Sequence, residues 1–201
     1  MVTGLTRRAM LEIIDYVTKS IEVISDQDKD RLIETLVDAY RRGSKVFVTG
    51  AGRSGLVIKA FALRLMHLGF QVYVMGETIV PSMRKGDVLI ALSGSGRTKS
   101  VVSVAEAAKS VGAVIVSITT YLDSPLARLG DVVVLIPGRT KLAREDDYYV
   151  RQVMGLHEPL TPLGTLFEDT VMIFLDGVIV ELMEKLGVSE DDLKERHANV
   201  E

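Results

Sequence analysis

Two short clusters in this 201-residue chain combine glycine with hydroxyl side chains in a way that suits an anion. The first, Gly50-Ala51-Gly52-Arg53-Ser54-Gly55, is a turn in which backbone N–H groups can approach an anion where a following helix begins. In the second, Ser93-Gly94-Ser95-Gly96-Arg97-Thr98, the hydroxyls of Ser93, Ser95 and Thr98 surround a glycine-flanked turn and add donors to those of the backbone. Taken together they form a cradle for a phosphomonoester. Hydrogen bonds must supply most of its affinity, because a helix dipole contributes only about 0.3–1 kcal/mol. Arg53 and Arg97 either assist with the phosphate or face solvent. Taken singly, S-G-S-G serves equally well to cap a helix and make a turn. The first cluster also fits the dinucleotide pattern G-x-G-x-x-G, with Glu77 roughly 20 residues on, near the place of a ribose-binding acid. A nicotinamide-dependent oxidoreductase is therefore an alternative. Neither cluster has the G-x-x-x-x-G-K-[ST] spacing of a nucleoside triphosphate site.

The elements that must carry these turns follow from periodicity. From Leu5 to Tyr40 apolar residues recur at helical spacing, with Ser25 and Asp26 offering a cap between two helices. After Gly43 come five β-branched runs, at 45–49, 71–75, 87–92, 113–119 and 131–136. They are nearly continuous in apolar residues, as strands are when helices cover both faces. Helical patterns at 54–68 and 98–111 serve as crossovers, while 76–86 is too short for a helix. The expected fold is α/β, with helices flanking a five-stranded parallel sheet of flavodoxin-like order 2-1-3-4-5. Ligands of such sheets collect at the carboxyl ends of the strands, where both glycine clusters fall. The organisation expected is one domain over 1–201: a helical pair at 1–43, a sheet core at 44–137, and a site-bearing segment with C-terminal helices at 138–201. Residues 137–161 hold clustered charges and read as an active-site or interface segment. The long helix at 163–186 is apolar around much of its girth, so burial by a second copy is expected.

Composition narrows the function. Net charge is −3, from 24 Lys and Arg against 27 Asp and Glu, which argues against general electrostatic binding of nucleic acid. With no cysteine there is no thiolate nucleophile or cysteine metal site. The three histidines, His67, His157 and His197, share no ligand spacing, so no metal is expected. A reducing cytoplasm fits. Residues 1–12 lack the apolar core of an export signal, and 171–183, interrupted by Asp176 and Glu181, is too short to span a bilayer.

The Ser54 loop, the 93–98 loop and Pro162-Leu163-Gly164-Thr165-Leu166-Phe167-Glu168 together resemble the SIS (sugar isomerase) family. Further likeness lies in Arg64-Leu65-Met66-His67-Leu68-Gly69-Phe70, Gly76-Glu77-Thr78 and Arg196-His197-Ala198-Asn199, so the match runs nearly end to end. S-G-S-G-x-T marks SIS domains generally; P-L-G-T-x-F-E and R-L-M-H-L-G-F narrow the likeness to a ketose-phosphate branch. The resemblance implies a homotetramer with shared active sites. It also implies a cofactor-free interconversion of D-arabino-hex-3-ulose 6-phosphate and D-fructose 6-phosphate, a step of the ribulose monophosphate pathway.

By position, the resemblance makes Gly52, Arg53, Ser54, Ser93, Gly94, Ser95, Gly96 and Thr98 the substrate-binding residues and Glu168 the catalytic base. Moving a carbonyl to the adjacent carbon requires one base to carry a proton and donors to stabilise the enediolate between. Glu168 follows Leu163, Leu166 and Phe167, an apolar setting that favours a proton on a carboxylate. On residue type alone the leading reading is a first-turn acid placed for the helix dipole after Pro162. His67 is the second catalytic candidate, acting from a neighbouring subunit as histidines do in related isomerases. His197 is a further candidate, His157 a weaker one, and a satisfied helix-end histidine is the competing reading of His67. Other SIS isomerases, such as one acting on arabinose 5-phosphate, and a sugar-phosphate-binding regulatory module that needs no base are the alternatives.

Overall fold

In a computed structural model that describes residues 4–138 and 160–197, the apolar runs after Gly43 pair as five parallel strands. They are β1 (Val46–Gly50), β2 (Val72–Val74), β3 (Val88–Leu92), β4 (Val114–Thr119) and β5 (Val132–Leu135). Their order is β2-β1-β3-β4-β5, as the sequence predicts. In register, Gly50 at the end of β1 lies beside Leu92 at the end of β3, so the two glycine clusters leave the sheet side by side. Strand order reverses here, and the connections on either side diverge to leave a crevice.

Two helices precede the sheet, α1 (Leu5–Ile21) and α2 (Asp26–Arg42). Ser25 caps α2, its hydroxyl accepting from the Asp28 N–H, and Gly43 ends it in the left-handed conformation. The crossovers are α3 (Gly52–Leu68) and α4 (Lys99–Ser110), with a short α5 (Pro125–Leu129) before β5. The chain closes with α6 (Thr165–Leu186) and α7 (Glu190–Glu195). Alternation along the strands divides the core in two. Val46, Val48, Val88 and Ile90 face α2, α3 and α6, whereas Phe47, Leu89, Ala91 and Ile115 face α4 and α5.

Central β3 is buried throughout, but edge strands β2 and β5 are only partly covered, so continuous burial holds for the middle of the sheet. Helix α6 buries Leu166, Val171, Leu175, Val178 and Leu182 and leaves Ile173 and Val180 more than half exposed. Along α1 the side chains of Leu5, Met10, Leu11, Ile14 and Ile21 are likewise exposed. No helix among the described residues is long and apolar enough to cross a membrane. Most of the charged segment at 137–161, with His157, lies outside the described residues.

The opposite end of the sheet is held by aspartates. Buried Asp87 accepts from the backbone N–H groups of Lys45 (2.9 Å) and Arg84 (2.8 Å) and pairs with Lys45 Nζ at 3.3 Å, fixing the starts of β1 and β3 relative to one another. Asp131 does the same for β4, accepting from the Ile115 N–H at 2.8 Å. Replacing Asp87 with Ala strands two N–H groups at once. The expected loss of stability is about 2–4 kcal/mol, read from equilibrium urea unfolding.

Candidate active site

The first loop depends on a crossing of bare backbone. A Cβ built on Gly50 would meet the Ser54 carbonyl oxygen at 3.0 Å and the Gly55 Cα at 3.1 Å, and one on Gly55 would meet the Gly50 carbonyl oxygen at 2.9 Å. β1 and the first turn of α3 therefore touch without side chains between them. The residue preceding α3 is Ala51, which has no side-chain cap, so the first N–H groups of the helix stay available to a ligand.

The second loop is anchored from behind. Gly94 O accepts from Thr120 N (3.1 Å) and Thr119 Oγ1 (3.2 Å), and Gly96 O accepts from Leu126 N (3.0 Å). Gly96 has φ +60°, and a Cβ there would fall on the Ser124 hydroxyl. Ser93 Oγ and Thr98 Oγ1 lie 3.0 Å apart, and Ser95 Oγ accepts from the Arg97 N–H at 3.2 Å. The Thr98 hydroxyl leaves the first turn of α4 uncapped, again with N–H groups free for an anion.

The amino end of α6 closes the third side. The buried ring of Phe167 lies so near Gly94 that a Cβ there would sit 3.0 Å from its Cδ1. One residue on, Glu168 is 9% exposed, with Ser54 Oγ donating to its Oε1 at 3.2 Å and Arg53 Nε at 3.4 Å from its Oε2. Arg53 also donates to Thr165 Oγ1 at 2.9 Å and pairs with Asp169. The setting of Glu168 thus differs from the apolar one expected: Phe167 covers one side, but a guanidinium and a hydroxyl face the carboxylate.

A cavity of about 370 Å³ results. It is lined by Gly52, Arg53 and Ser54 from the first loop, by Ser93, Gly94, Ser95 and Thr98 from the second, and by Leu163, Gly164, Phe167 and Glu168 from α6 and its approach. Gly96 stands behind the wall and shapes the loop. Arg53 lines the cavity, yet its donors turn to α6. It is held by Thr165, which belongs to the 162–168 motif, and by Asp169, which sequence reasoning missed; their signal is the spacing of Thr165, Glu168 and Asp169 at i, i+3 and i+4 on one helix face. Glu77, the alternative ribose acid, pairs with Lys59 on an exposed surface and does not line the cavity.

Two predicted residues are not brought to this cavity within one chain. His67 is at the far end of α3, about 20 Å from Ser54 at 1.5 Å per residue. There it is buried and stacked on His197. Burial first, then the neighbouring His197 and Arg64, hold its imidazole below the usual histidine range.

A family model for the SIS domain matches residues 40–143, which include both loops and all five strands. The chain belongs to the SIS domain family. Among its relatives, an uncharacterized protein of Aeropyrum pernix is 59% identical over 96% of this chain and 92% of its own. The 3-hexulose-6-phosphate isomerase of Bacillus subtilis is 35% identical over 98% of this chain and 99% of its own. A hypothetical protein of Methanococcus jannaschii, whose crystal structure infers a molecular function of 3-hexulose-6-phosphate isomerase, aligns with a TM-score of 0.73 at 35% identity, covering 96% of this chain and 97% of that one. The SIS domain here keeps its order of strands and places its S-G-S-G-x-T loop on the cavity wall.

Replacing Gly96 with Ala should destabilise the protein by about 1–3 kcal/mol through overpacking alone, seen as a lower urea midpoint. A pH effect is also expected. The folded imidazole of His67 holds its proton less tightly than an unfolded one near pKa 6.5, so its share of stability is complete above about pH 6.5 and is lost as the pH falls below that. The stability advantage of wild type over His67→Gln should therefore shrink between pH 7.5 and pH 5, measured by urea unfolding at each pH.

Proposed function

We propose that this SIS domain is a cytoplasmic isomerase interconverting D-arabino-hex-3-ulose 6-phosphate and D-fructose 6-phosphate. The observation carrying this reading is the 3.2 Å approach of Ser54 Oγ to Glu168 Oε1, which sets a phosphate-type loop and a single carboxylate in one cavity. Relatives named 3-hexulose-6-phosphate isomerase, 35–38% identical over nearly their whole length, support the choice of substrate.

In this reading the phosphate rests against the uncapped N–H groups of α3 and α4 and the hydroxyls of Ser54, Ser93, Ser95 and Thr98. The sugar then extends toward Glu168. From fructose 6-phosphate the carboxylate takes the proton on carbon 3; the C–H electrons form the carbon 2–carbon 3 double bond, and the carbonyl pair moves onto the oxygen at carbon 2. Return of the proton to carbon 2, with transfer of the hydroxyl proton from the oxygen on carbon 3 to the oxygen on carbon 2, places the carbonyl at carbon 3 and a hydroxyl at carbon 2. Electrons stay within the sugar throughout, so the step needs no redox cofactor. A base and nearby donors suffice, and such a base is worth about 10²–10⁴ in rate.

Completion of the site by a second copy belongs to the same proposal. The exposed apolar residues along α1, with Ile173 and Val180 on α6, favour a homotetramer in which His67 of a neighbour serves the proton transfers between sugar oxygens.

Proton NMR of fructose 6-phosphate in D2O with catalytic protein should show deuterium entering at carbon 3. Exchange confined to carbon 1 would point instead to an aldose–ketose isomerase, and binding without exchange to a regulatory module. Glu168→Gln should slow exchange by about 10²–10⁴ while calorimetry still records phosphosugar binding; undiminished turnover in that variant overturns the mechanism.

A further inference from the structure

The cavity makes no use of what surrounds the other end of α3. Gly69 ends that helix with φ +97°, its N–H bonded to the carbonyls of Leu65 and Met66. The chain's last described residues return to this spot after α7. Arg196 Nη1 donates to the His67 carbonyl oxygen at 3.0 Å, satisfying one of the acceptors that a helix leaves unpaired at its carboxyl end. Atoms of the same guanidinium lie 3.0–3.4 Å from where a Cβ on residue 69 would stand. Glycine at 69 therefore provides both the left-handed turn and the seat for Arg196.

His197 follows directly and lies over the His67 ring, with centroids 4.2 Å apart and planes inclined by 30°. His67 is only 2% exposed, and its Nδ1 has no hydrogen-bond partner among the described residues. A buried nitrogen left unpaired lowers stability, and an apolar residue in its place would avoid that loss. Packing that encloses such a ring, fixes its helix end and still leaves the nitrogen unpaired is arranged around the imidazole itself.

We infer that Arg196 and His197 are positioning residues for His67, the one capping the helix end that carries it and the other clamping its ring by stacking. The inference rests on the reading that His67 of one copy completes the cavity of another. Two contacts from one short segment leave the ring little freedom to turn, and a misplacement of about 1 Å can cost 10²-fold in rate. The titratable and charged groups acting on the ring are His197 from the tail and Arg64 one turn back on α3, with Arg196 at its carbonyl. Burial, His197 and Arg64 hold the imidazole below the usual histidine range, toward the neutral form that accepts a proton.

Three proteins test this: wild type, His197→Ala and His197→Phe, the last keeping a stacking ring without a titrating one. Each is assayed for deuterium exchange into fructose 6-phosphate across pH 5–9, and the His67 imidazole is titrated separately by NMR, assigned with His67→Gln. In His197→Ala we expect kcat to fall by about 10- to 100-fold with KM nearly unchanged. The imidazole titration should move to higher pH as the ring gains water and loses a basic neighbour, and the pH–rate limb should move with it. Stacking by His197→Phe should restore most of kcat. A His67 titration unchanged in His197→Ala overturns the clamp whatever the enzyme does. A titration that moves while kcat and the pH–rate limb stay put reduces the tail to a structural cap and overturns its positioning role. Wild-type protein with no exchange removes the isomerase reading, and the catalytic consequence of the clamp with it.

Discussion

Backbone meets backbone where β1 turns into α3, and the rest of the site depends on that contact. Any side chain at residue 50 or 55 would push the helix away from the strand. With the helix close, its first N–H groups open onto the crevice between β1 and β3, and Ser54 comes within reach of α6. A second close approach completes the enclosure: Gly94 admits the ring of Phe167, and this ring sets the depth at which α6 begins and hence where Glu168 points. Absent side chains thus govern the geometry as much as present ones.

Electrostatics divides the cavity into two ends. Uncapped helix starts and hydroxyl donors make one end attractive to an anion, whereas a carboxylate occupies the other. The two tendencies conflict at close range, because a bound phosphate and an ionised carboxylate repel in a poorly screened space. Arg53 lines the cavity beside the acid. Its guanidinium is shared among Thr165, Glu168 and Asp169, so a fixed positive charge accompanies the acid without being surrendered to it. Asp169 gives the arginine an anchor independent of Glu168.

The sheet was legible because its signal is repeated. Five β-branched runs with helical patterns between them leave few ways to arrange a parallel sheet, and the observed order is the expected one. Less was legible at its margins. Strand β2 is only Val72–Val74 because an edge strand has one neighbour to pair with, and α5 is too short for periodicity, though Ser124 and Pro125 mark its start. At the site, loop residues could be named from their types, since glycine and hydroxyls at a strand end have a narrow set of uses. The partners of Glu168 could not. Leu163, Leu166 and Phe167 suggest an apolar pocket when read along the chain, but Arg53 and Ser54 arrive from 114 residues or more away in sequence. For His67 the helical pattern puts the loop at the start of α3 and the histidine near its end, but does not show the His197 ring that returns from the far end of the chain to lie against it.

The hydroxyl of Ser54 has a single hydrogen, and it is directed at Glu168. An incoming anion that claims this hydrogen must take it from the carboxylate. The two ends of the cavity are then joined by one shared donor. Filling the anion end would leave the carboxylate to its remaining partner, Arg53.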